Sequence, residues 1–253
     1  MLTALCLLLV SPFSAFATSI VTVIGGESIT IAADGVLIGT STETGEPVRD
    51  STCKIRCIHH LCFAASGRYG NKTIGYNIFE LAGKELSRPG SVEEVSARFR
   101  AVIEPLVPKL VAVSEKETPQ EYAEWLKGRP VLGYLFAGFG TLGEPLVVSG
   151  QAMIDTEGRT LPIRESVKRG RSGTIETVLL GWNQHIVAFL KGDSMWGDSA
   201  AKHPSQFAEK MVRIEIEASE NAGRRDVGEP ITIVRLTVET GFILESSGFC
   251  REN

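Results

Sequence analysis

Two short β-patterned runs near the start of the chain place the strongest constraint on the fold. Ile20 to Ile24 is rich in β-branched residues, and Ile29 to Ala33 is a second such run that ends at Asp34. The residues between them, 25–28, contain two glycines and predict a tight turn. The second strand therefore returns antiparallel to the first, and this pairing brings Asp34 back beside Thr18.

Beyond Lys54 the chain alternates between strand-like and helix-like patterns, which differ in the spacing of their apolar residues. The sequence predicts strands over 54–67, 131–136, 146–154, 174–180, 231–238 and 242–246, and helices over 71–87, 91–106, 184–190 and 206–218. Between them, we expect 114–127 to form a connection with one short helix and 155–173 to form a solvated loop.

Two of the predicted helices carry more specific signals. Ser91 followed by Glu94 is a capping-box pattern that opens a helix. Its predicted apolar stripe consists of Val92, Val95, Phe99, Val102 and Leu106. The stripe predicted for the last helix consists of Phe207, Met211, Ile214 and Ala218.

The order of these runs, strands then helices then strands again, indicates an α+β protein. Two mainly antiparallel sheets that pack face to face, with helices on their outer faces, satisfy this order. The chain has 253 residues, enough for one large domain with a full core. No internal repeat or low-complexity linker divides it.

Residues 1–17 have the layout of a secretory signal peptide. Leu2 to Val10 is almost wholly apolar, and small residues follow at Ala15 and Ala17. Cleavage after Ala17 would make Thr18 the first residue of a mature domain over 18–253, in a secreted or periplasmic protein. Because no Lys or Arg precedes the apolar run, the alternatives are a propeptide, which would leave the protein cytoplasmic, or an uncleaved anchor.

The charge balance argues against some classes of partner. Lys and Arg number 26 and Asp and Glu number 30, which gives a net charge of −4. This balance disfavours a nucleic-acid or anionic-membrane partner. Outside the leader, no stretch approaches the apolar length of a transmembrane helix, so we expect no membrane partner after leader removal.

The cysteines suit an oxidising compartment. Those that would remain after leader removal are Cys53, Cys57, Cys62 and Cys250, an even number. Cys57 and Cys62 flank the predicted turn at 59–60 and would face each other across a hairpin; the alternative is four buried thiols. A metal site that also used His59 is disfavoured, because strand alternation scatters these side chains over both faces. We predict no metal and no cofactor.

The first part of the predicted domain resembles a known family. Thr18, the segment 29–34 ending in Asp34, the pair Lys54-Ile55 and the segment Ala65-Ser66-Gly67 resemble, in order and spacing, the N-terminal part of proteasome β-type subunits. The loop between Asp34 and Lys54 is longer than usual in that family. The resemblance implies the four-layer αββα sandwich of the N-terminal nucleophile (Ntn) hydrolases. Beyond Gly70, only the order of elements agrees.

The resemblance implies a threonine-type peptidase or amidohydrolase, and the residue types support that chemistry. Thr18 would attack an amide carbonyl, with its own α-amine as base. Lys54 would make the Thr18 oxygen a better nucleophile, Asp34 would hold Lys54, and the Gly67 N–H would stabilise the oxyanion. Taken singly, each residue also has an ordinary structural explanation, as a turn, strand-end or surface residue.

The second half departs from the family pattern. The family supplies a Ser near Gly181, where this chain has Trp182-Asn183, and an Asp followed by a Ser further on. Asp226 matches that Asp only if two residues are missing, and the second Ser has no counterpart. A catalytically silent proteasome-like subunit is therefore the alternative function. Expected partners are a peptide or amide substrate and further copies of the chain in a homo-oligomer or ring.

Overall fold

The computed structural model describes residues 18–40, 47–224 and 226–246. The predicted leader and Cys250 lie outside these ranges. Within them, the first strands are β1 (Ser19–Ile24), β2 (Ser28–Asp34), β3 (Val36–Thr40), β4 (Pro47–Ser51), β5 (Ile55–Ile58), β6 (Leu61–Gly67), β7 (Gly70–Asn71) and β8 (Tyr76–Asn77). The first helices are α1 (Ile78–Leu86), α2 (Val92–Ile103), α3 (Val107–Glu117) and α4 (Pro119–Leu126).

The second half continues with strands, three helices and a final hairpin. Its strands are β9 (Leu132–Phe139), β10 (Pro145–Ala152), β11 (Arg164–Arg169), β12 (Glu176–Gly181), β13 (Ile231–Thr237) and β14 (Gly241–Ser246). Its helices are α5 (Gln184–Gly192), α6 (Trp196–Lys202) and α7 (Pro204–Asn221).

The main strands form two antiparallel sheets of five strands each. The first sheet has the order β12-β1-β2-β13-β14, and the second has the order β11-β10-β9-β6-β5. The hairpin β1–β2 has the predicted register, with Ile24 opposite Ile29 and Ile20 opposite Ala33. Since β1 and β2 are neighbours at the centre of the first sheet, the ends of both strands are fixed by pairing on two sides.

Three buried clusters separate four layers. Side chains alternate along each strand, so Ile20 faces the second sheet whereas Val21 faces helices α5–α7. Helices α1–α4 cover the other face of the second sheet, where Phe63, Phe99 and Phe136 pack together. The predicted α+β sandwich, with two sheets between two helical layers, is confirmed.

The predicted elements differ from the structure in several places. Strands β3 and β4 lie between Asp34 and Lys54, where we expected a loop. Helix α1 begins at Ile78 and not near residue 71, because the Asn77 side chain accepts hydrogen bonds from the first helical N–H groups. The predicted loop 155–173 contains the edge strand β11. The connection 114–127 contains the expected short helix, α4, but it begins with the end of α3. Helix α6 was not predicted.

The predicted helix faces are correct in their first turns and then drift. The capping box of Ser91 and Glu94 is present. Val102 is 37% exposed, and Ile103 is buried in its place. In α7, the predicted Phe207 and Met211 are buried, and the buried face then continues through Ile216 rather than through the predicted Ile214 and Ala218.

The sequence predicted no transmembrane helix outside the leader, and the helices of the structure can be compared with the length and hydropathy that such a helix needs. Among the residues that the structure describes, no helix combines the length and the apolar character that crossing a bilayer requires.

Candidate active site

Thr18 directly precedes β1, at one end of a central strand of the first sheet. Its carbonyl oxygen accepts a hydrogen bond from the Trp182 N–H at 2.6 Å. The next residue, Ser19, pairs with Gly181 of β12 and donates its N–H to Asp34 Oδ1 at 2.8 Å. The backbone next to Thr18 is therefore held from the strands on both sides. Thr18 itself is only 3% exposed.

Asp34 ends β2 and is 1% exposed. Besides the Ser19 N–H, its carboxylate accepts N–H groups from Val36 at 3.2 Å and Gly228 at 3.4 Å. Burial raises the pKa of Asp34, and the charge of Lys54 and the backbone donors oppose that rise. The backbone donors also fix the position of the carboxylate. The antiparallel return of β2, predicted from the sequence, is what places Asp34 beside the start of β1.

Lys54 precedes β5, in the second sheet, and is fully buried. Its Nζ donates to both Asp34 oxygens at 2.9 Å and to Thr18 Oγ1 at 3.0 Å. An ammonium group has three N–H donors, so these contacts use all of them. The structure thus brings Thr18, Asp34 and Lys54 together, as the sequence pattern implied.

Tyr69 is a fourth member of the cluster that sequence reasoning missed. Its hydroxyl lies 2.6 Å from Thr18 Oγ1 and donates to the Ala65 carbonyl at 3.0 Å. Because the phenol proton goes to Ala65, the Tyr69 oxygen accepts the proton of Thr18. The resulting chain of donors runs from Lys54 through Thr18 and Tyr69 to Ala65.

Burial governs the protonation of this cluster. Burial lowers the pKa of the Lys54 ammonium, and the attraction of the Asp34 carboxylate opposes that shift. Burial also raises the pKa of the Tyr69 phenol well above its ordinary value. Tyr69 is therefore a neutral hydrogen-bonding group at any working pH, whereas Lys54 loses its proton more readily than an exposed lysine.

Gly67 ends β6 and Gly181 ends β12, and Gly181 lies against the Thr18 backbone. Gly67 has φ +90°, and a Cβ there would lie 2.5 Å from the Val131 carbonyl. Gly181 has φ +82°, and a Cβ there would lie within bonding distance of the Thr18 carbonyl. Only glycine fits at either place. Within the described residues, no hydrogen bond joins the Gly67 N–H to Thr18.

Asp226 is the predicted residue from the second half of the chain, and it contacts neither Thr18 nor Lys54 by a hydrogen bond among the described residues. It is buried, and its charge raises the pKa of Lys54. Its Oδ1 accepts the Ser219 hydroxyl at 2.6 Å, and its Oδ2 is buried and has no hydrogen-bond partner among the described residues. Ser219, on α7, is a neighbour that the sequence pattern did not indicate.

Trp182 stands where the resemblance implied a serine. Its ring packs between charged side chains, with the guanidinium carbons of Arg129 and Arg224 at 5.0 Å and 4.7 Å from the ring centroid. Its indole N–H is buried without a partner. The predicted absence of a hydroxyl at this position is therefore accompanied by a large aromatic side chain beside the site.

Of the two interpretations of the cysteines, the structure agrees with a pair that faces across the β5–β6 hairpin. Cys57 pairs with Cys62 across β5–β6 in a disulfide, with a Cα–Cα distance of 4.0 Å. Buried free thiols are therefore the wrong interpretation for this pair. Over the described ranges, no group of three or more His, Cys, Asp or Glu side chains is placed to hold a metal ion.

Comparisons with known proteins bear on the fold. No protein-family model matches the sequence, and no curated protein matches it. Among solved structures, Anbu (ancestral β-subunit) from Yersinia bercovieri has a TM-score of 0.56 at 10% identity, over 89% of this chain and 86% of that chain. A Gly-1 mutant of Anbu from Hyphomicrobium sp. strain MC1 has a TM-score of 0.54 at 13% identity, over 93% and 89%. This chain shares the Anbu fold.

The likeness to Anbu confirms the predicted proteasome-like fold but does not support the predicted family. The assignment to proteasome β-type subunits of the Ntn hydrolases is wrong, because the matching structures are Anbu proteins and no family model covers the chain. The resemblance to proteasome β-type subunits depended on short motifs between Thr18 and Gly70. At identities of 10–13%, the likeness to the Anbu structures shows a shared fold and nothing more. A helical Anbu assembly from Pseudomonas aeruginosa has a TM-score of 0.48, too low to bear on how this chain assembles.

Proposed function

We propose that this protein is a threonine-type amidohydrolase or peptidase in which Thr18 is the nucleophile. The observation that carries the proposal is the buried contact of Lys54 Nζ with Thr18 Oγ1, at 3.0 Å, and with both oxygens of Asp34, at 2.9 Å. A buried lysine costs several kcal/mol unless it is paired, and here its third proton is aimed at a hydroxyl. Such an arrangement suits a hydroxyl that must become an anion.

The proposed reaction begins when cleavage after Ala17 frees the α-amine of Thr18. That amine takes the hydroxyl proton while Thr18 Oγ1 attacks the amide carbonyl. Lys54 stays protonated, and its N–H stabilises the negative charge that develops on Oγ1. The Gly67 N–H stabilises the carbonyl oxyanion. The amine then protonates the leaving nitrogen, which leaves an acyl ester on Thr18 that one water molecule hydrolyses.

Asp226 is proposed to support the freed amine. Its Oδ2 is a buried acceptor without a partner, and such a group is costly until a donor arrives. Its charge already acts on Lys54, so it belongs to the same electrostatic environment. We further propose that the mature protein is exported and that its copies associate with one another.

The mature N-terminus and its reactivity test this function together. Intact mass should show a chain that begins at Thr18, and a threonine-directed covalent inhibitor should add to that residue. Thr18→Ala should abolish the adduct, whereas Thr18→Ser should retain part of it because only the β-methyl is lost. A leader that is retained, or cut one residue away, would remove the proposed base.

A catalytically silent proteasome-like subunit is the second candidate function. It is favoured by the enclosure of Thr18, which is 3% exposed with both hydroxyl roles occupied, and by Trp182 at the position of an expected serine. A mature protein that begins at Thr18, folds and assembles, yet accepts no inhibitor, would establish this candidate in place of the enzyme.

A further inference from the structure

A small pocket opens beside the proposed nucleophile and contains an arginine whose charge no carboxylate engages directly. The residues that line the pocket come from the ends of β6 and β12 and from the segment around α4, and they include Ser66, Gly67, Glu121, Glu124, Arg129 and Trp182. Gly67 lies two residues before Tyr69, and the Trp182 N–H binds the Thr18 carbonyl. The pocket therefore adjoins the site where an amide would react.

Both carboxylates of the pocket are already paired with other cations. Glu121 Oε2 accepts from Arg68 at 2.9 Å and is nearly buried. Glu124 Oε1 accepts from Lys127 at 2.6 Å. The carboxylates of Glu124, Asp226 and Glu121 also attract the Arg129 guanidinium and oppose the lowering of its pKa by burial. No hydrogen bond joins the Arg129 side chain to any of them in the described part of the chain.

Arg129 is consequently the pocket's available donor. No described residue accepts a hydrogen bond from its guanidinium group, which is half-buried and stays protonated at any working pH. Its contact with the Trp182 ring, at 5.0 Å, restricts the guanidinium to one region and lowers the entropy lost on binding. Arg224 lies on the same ring and adds a second positive charge.

The local charge count favours an anion. The cations around the pocket are Arg68, Lys127, Arg129 and Arg224, and the carboxylates are Glu121, Glu124 and Asp226. Arg224 lies 4.0 Å from Asp226, at the limit of an ion pair. One positive charge is therefore in excess among the described residues, and it lies where a planar carboxylate can accept two parallel N–H bonds.

We propose that Arg129 binds a carboxylate of the substrate next to the scissile amide, so that the preferred substrates are acidic peptides or amides. This inference rests on the proposed function and adds a substrate class to it. The carboxylate comes either from an Asp or Glu side chain or from the free C-terminus of a peptide. Both sources present the same group, and the experiment separates them.

The test compares matched peptides on the purified mature protein. Glu replaces Gln at each of three positions on either side of the cleaved bond, and each peptide is made with a free and an amidated C-terminus. At one position or with the free terminus, we expect kcat/KM to be about tenfold higher for the acidic member of the pair, mainly through KM. Equal kcat/KM values for every pair would overturn the inference.

Variants of Arg129 connect that preference to the pocket. In Arg129→Gln, kcat/KM for the acidic peptide should fall by about tenfold and that for the neutral peptide should change little, so the preference disappears. Arg129→Lys should keep part of the preference, because the charge remains and the fork is lost. The control Arg159→Gln removes an exposed arginine that pairs with Asp155 and should leave the preference intact. A preference that survives Arg129→Gln would contradict the proposal.

Binding separates this inference from the proposed function. If no peptide is cleaved, calorimetry on Thr18→Ala compares the dissociation constants of the Glu and Gln peptides. Tighter binding of the acidic peptide, lost in the double variant with Arg129→Gln, would support the pocket even in a protein without hydrolase activity. Equal binding of both peptides would reject the pocket whatever the outcome for catalysis.

Discussion

The phenol oxygen of Tyr69 lies 2.6 Å from the hydroxyl oxygen of Thr18 and accepts its proton. Because Lys54 donates to the same hydroxyl, Thr18 Oγ1 is held from two sides in one orientation. Tyr69 also packs on Phe79, with ring centroids 5.4 Å apart, so its position does not depend on the hydroxyl contact alone. The rotamer of the proposed nucleophile is thus set by two residues that flank strands of the second sheet.

Tyr69→Phe should slow the acylation of Thr18 without unfolding the protein. The ring packing remains, and the lost hydrogen bond contributes about 1 kcal/mol, so the labelling rate should fall about fivefold. Inhibitor labelling followed by mass spectrometry measures this rate. Tyr122→Phe, at another half-buried tyrosine, is the matched control and should label at the wild-type rate. An unchanged rate in Tyr69→Phe would show that Lys54 alone orients Thr18.

Lys54→Ala should be nearly as damaging to labelling as Thr18→Ala. The two residues act on one bond-forming step, so the double variant should be no worse than either single variant. The substitution also leaves the buried Asp34 carboxylate unpaired, which should destabilise the fold by about 3–5 kcal/mol. Denaturant unfolding measures this cost separately, and Lys54→Ala combined with Asp34→Asn should recover part of the stability. Additive losses of labelling would contradict the shared step.

The rate of labelling should fall at alkaline pH as Lys54 loses its proton. Since burial lowers the pKa of Lys54, this loss should begin below the ordinary range for lysine. The Asp34 carboxylate raises that pKa by attraction, so Asp34→Asn should move the alkaline limb to lower pH. A pH–rate profile for both proteins checks the direction. Asp155→Asn, at the surface, should leave the limb in place, and a limb that moves upward in Asp34→Asn would oppose the assigned role.

Gly181→Ala should displace Thr18 and destabilise the first sheet. The new Cβ would collide with the Thr18 carbonyl, and the backbone there has φ +82°. We expect a loss of at least about 2 kcal/mol together with loss of labelling. Gly197→Ala is the control, because no neighbouring atom lies within 4 Å and the position is helical, so it should gain about 0.5–1 kcal/mol. Thermal unfolding distinguishes the two.

Removing the Cys57–Cys62 disulfide should lower stability and leave chemistry unchanged. The disulfide joins two residues with a sequence separation of 5. For so short a loop, the lost entropy of the unfolded chain corresponds to about 2 kcal/mol of stability. A Cys57→Ala and Cys62→Ala double variant should therefore unfold at lower temperature and label Thr18 at the wild-type rate. A slower label would mean that the hairpin also positions Lys54.

Most of the fold could be predicted because its strands are apolar and bounded by turn residues. The edge strand β11 could not, since five of its six residues are polar or charged and resemble a solvated loop in sequence. Asp34 was found because one tight turn fixes its distance from Thr18 along two strands. Tyr69 was missed because its contact depends on how the second sheet packs, and no spacing along the chain encodes that packing.

The pocket around Arg129 could not be predicted from the sequence either, because its residues come together only through tertiary packing. Arg129, Trp182 and Arg224 are far apart along the chain and belong to different layers, and no short motif joins them. The same holds for Ser219, whose hydroxyl reaches Asp226 from a long helix. In each case the signal is a three-dimensional neighbourhood that forms only when helices dock on the sheets.

The division of the site between two sheets has a consequence for the timing of its chemistry. Thr18 and Asp34 belong to the first sheet, whereas Lys54 and Tyr69 flank strands of the second. In a growing or half-folded chain these pairs are separate, and the threonine hydroxyl is then as inert as any other. If Thr18 is the nucleophile that we propose, reactivity arises only in molecules that have completed their core, and a half-folded copy does not carry the assembled site.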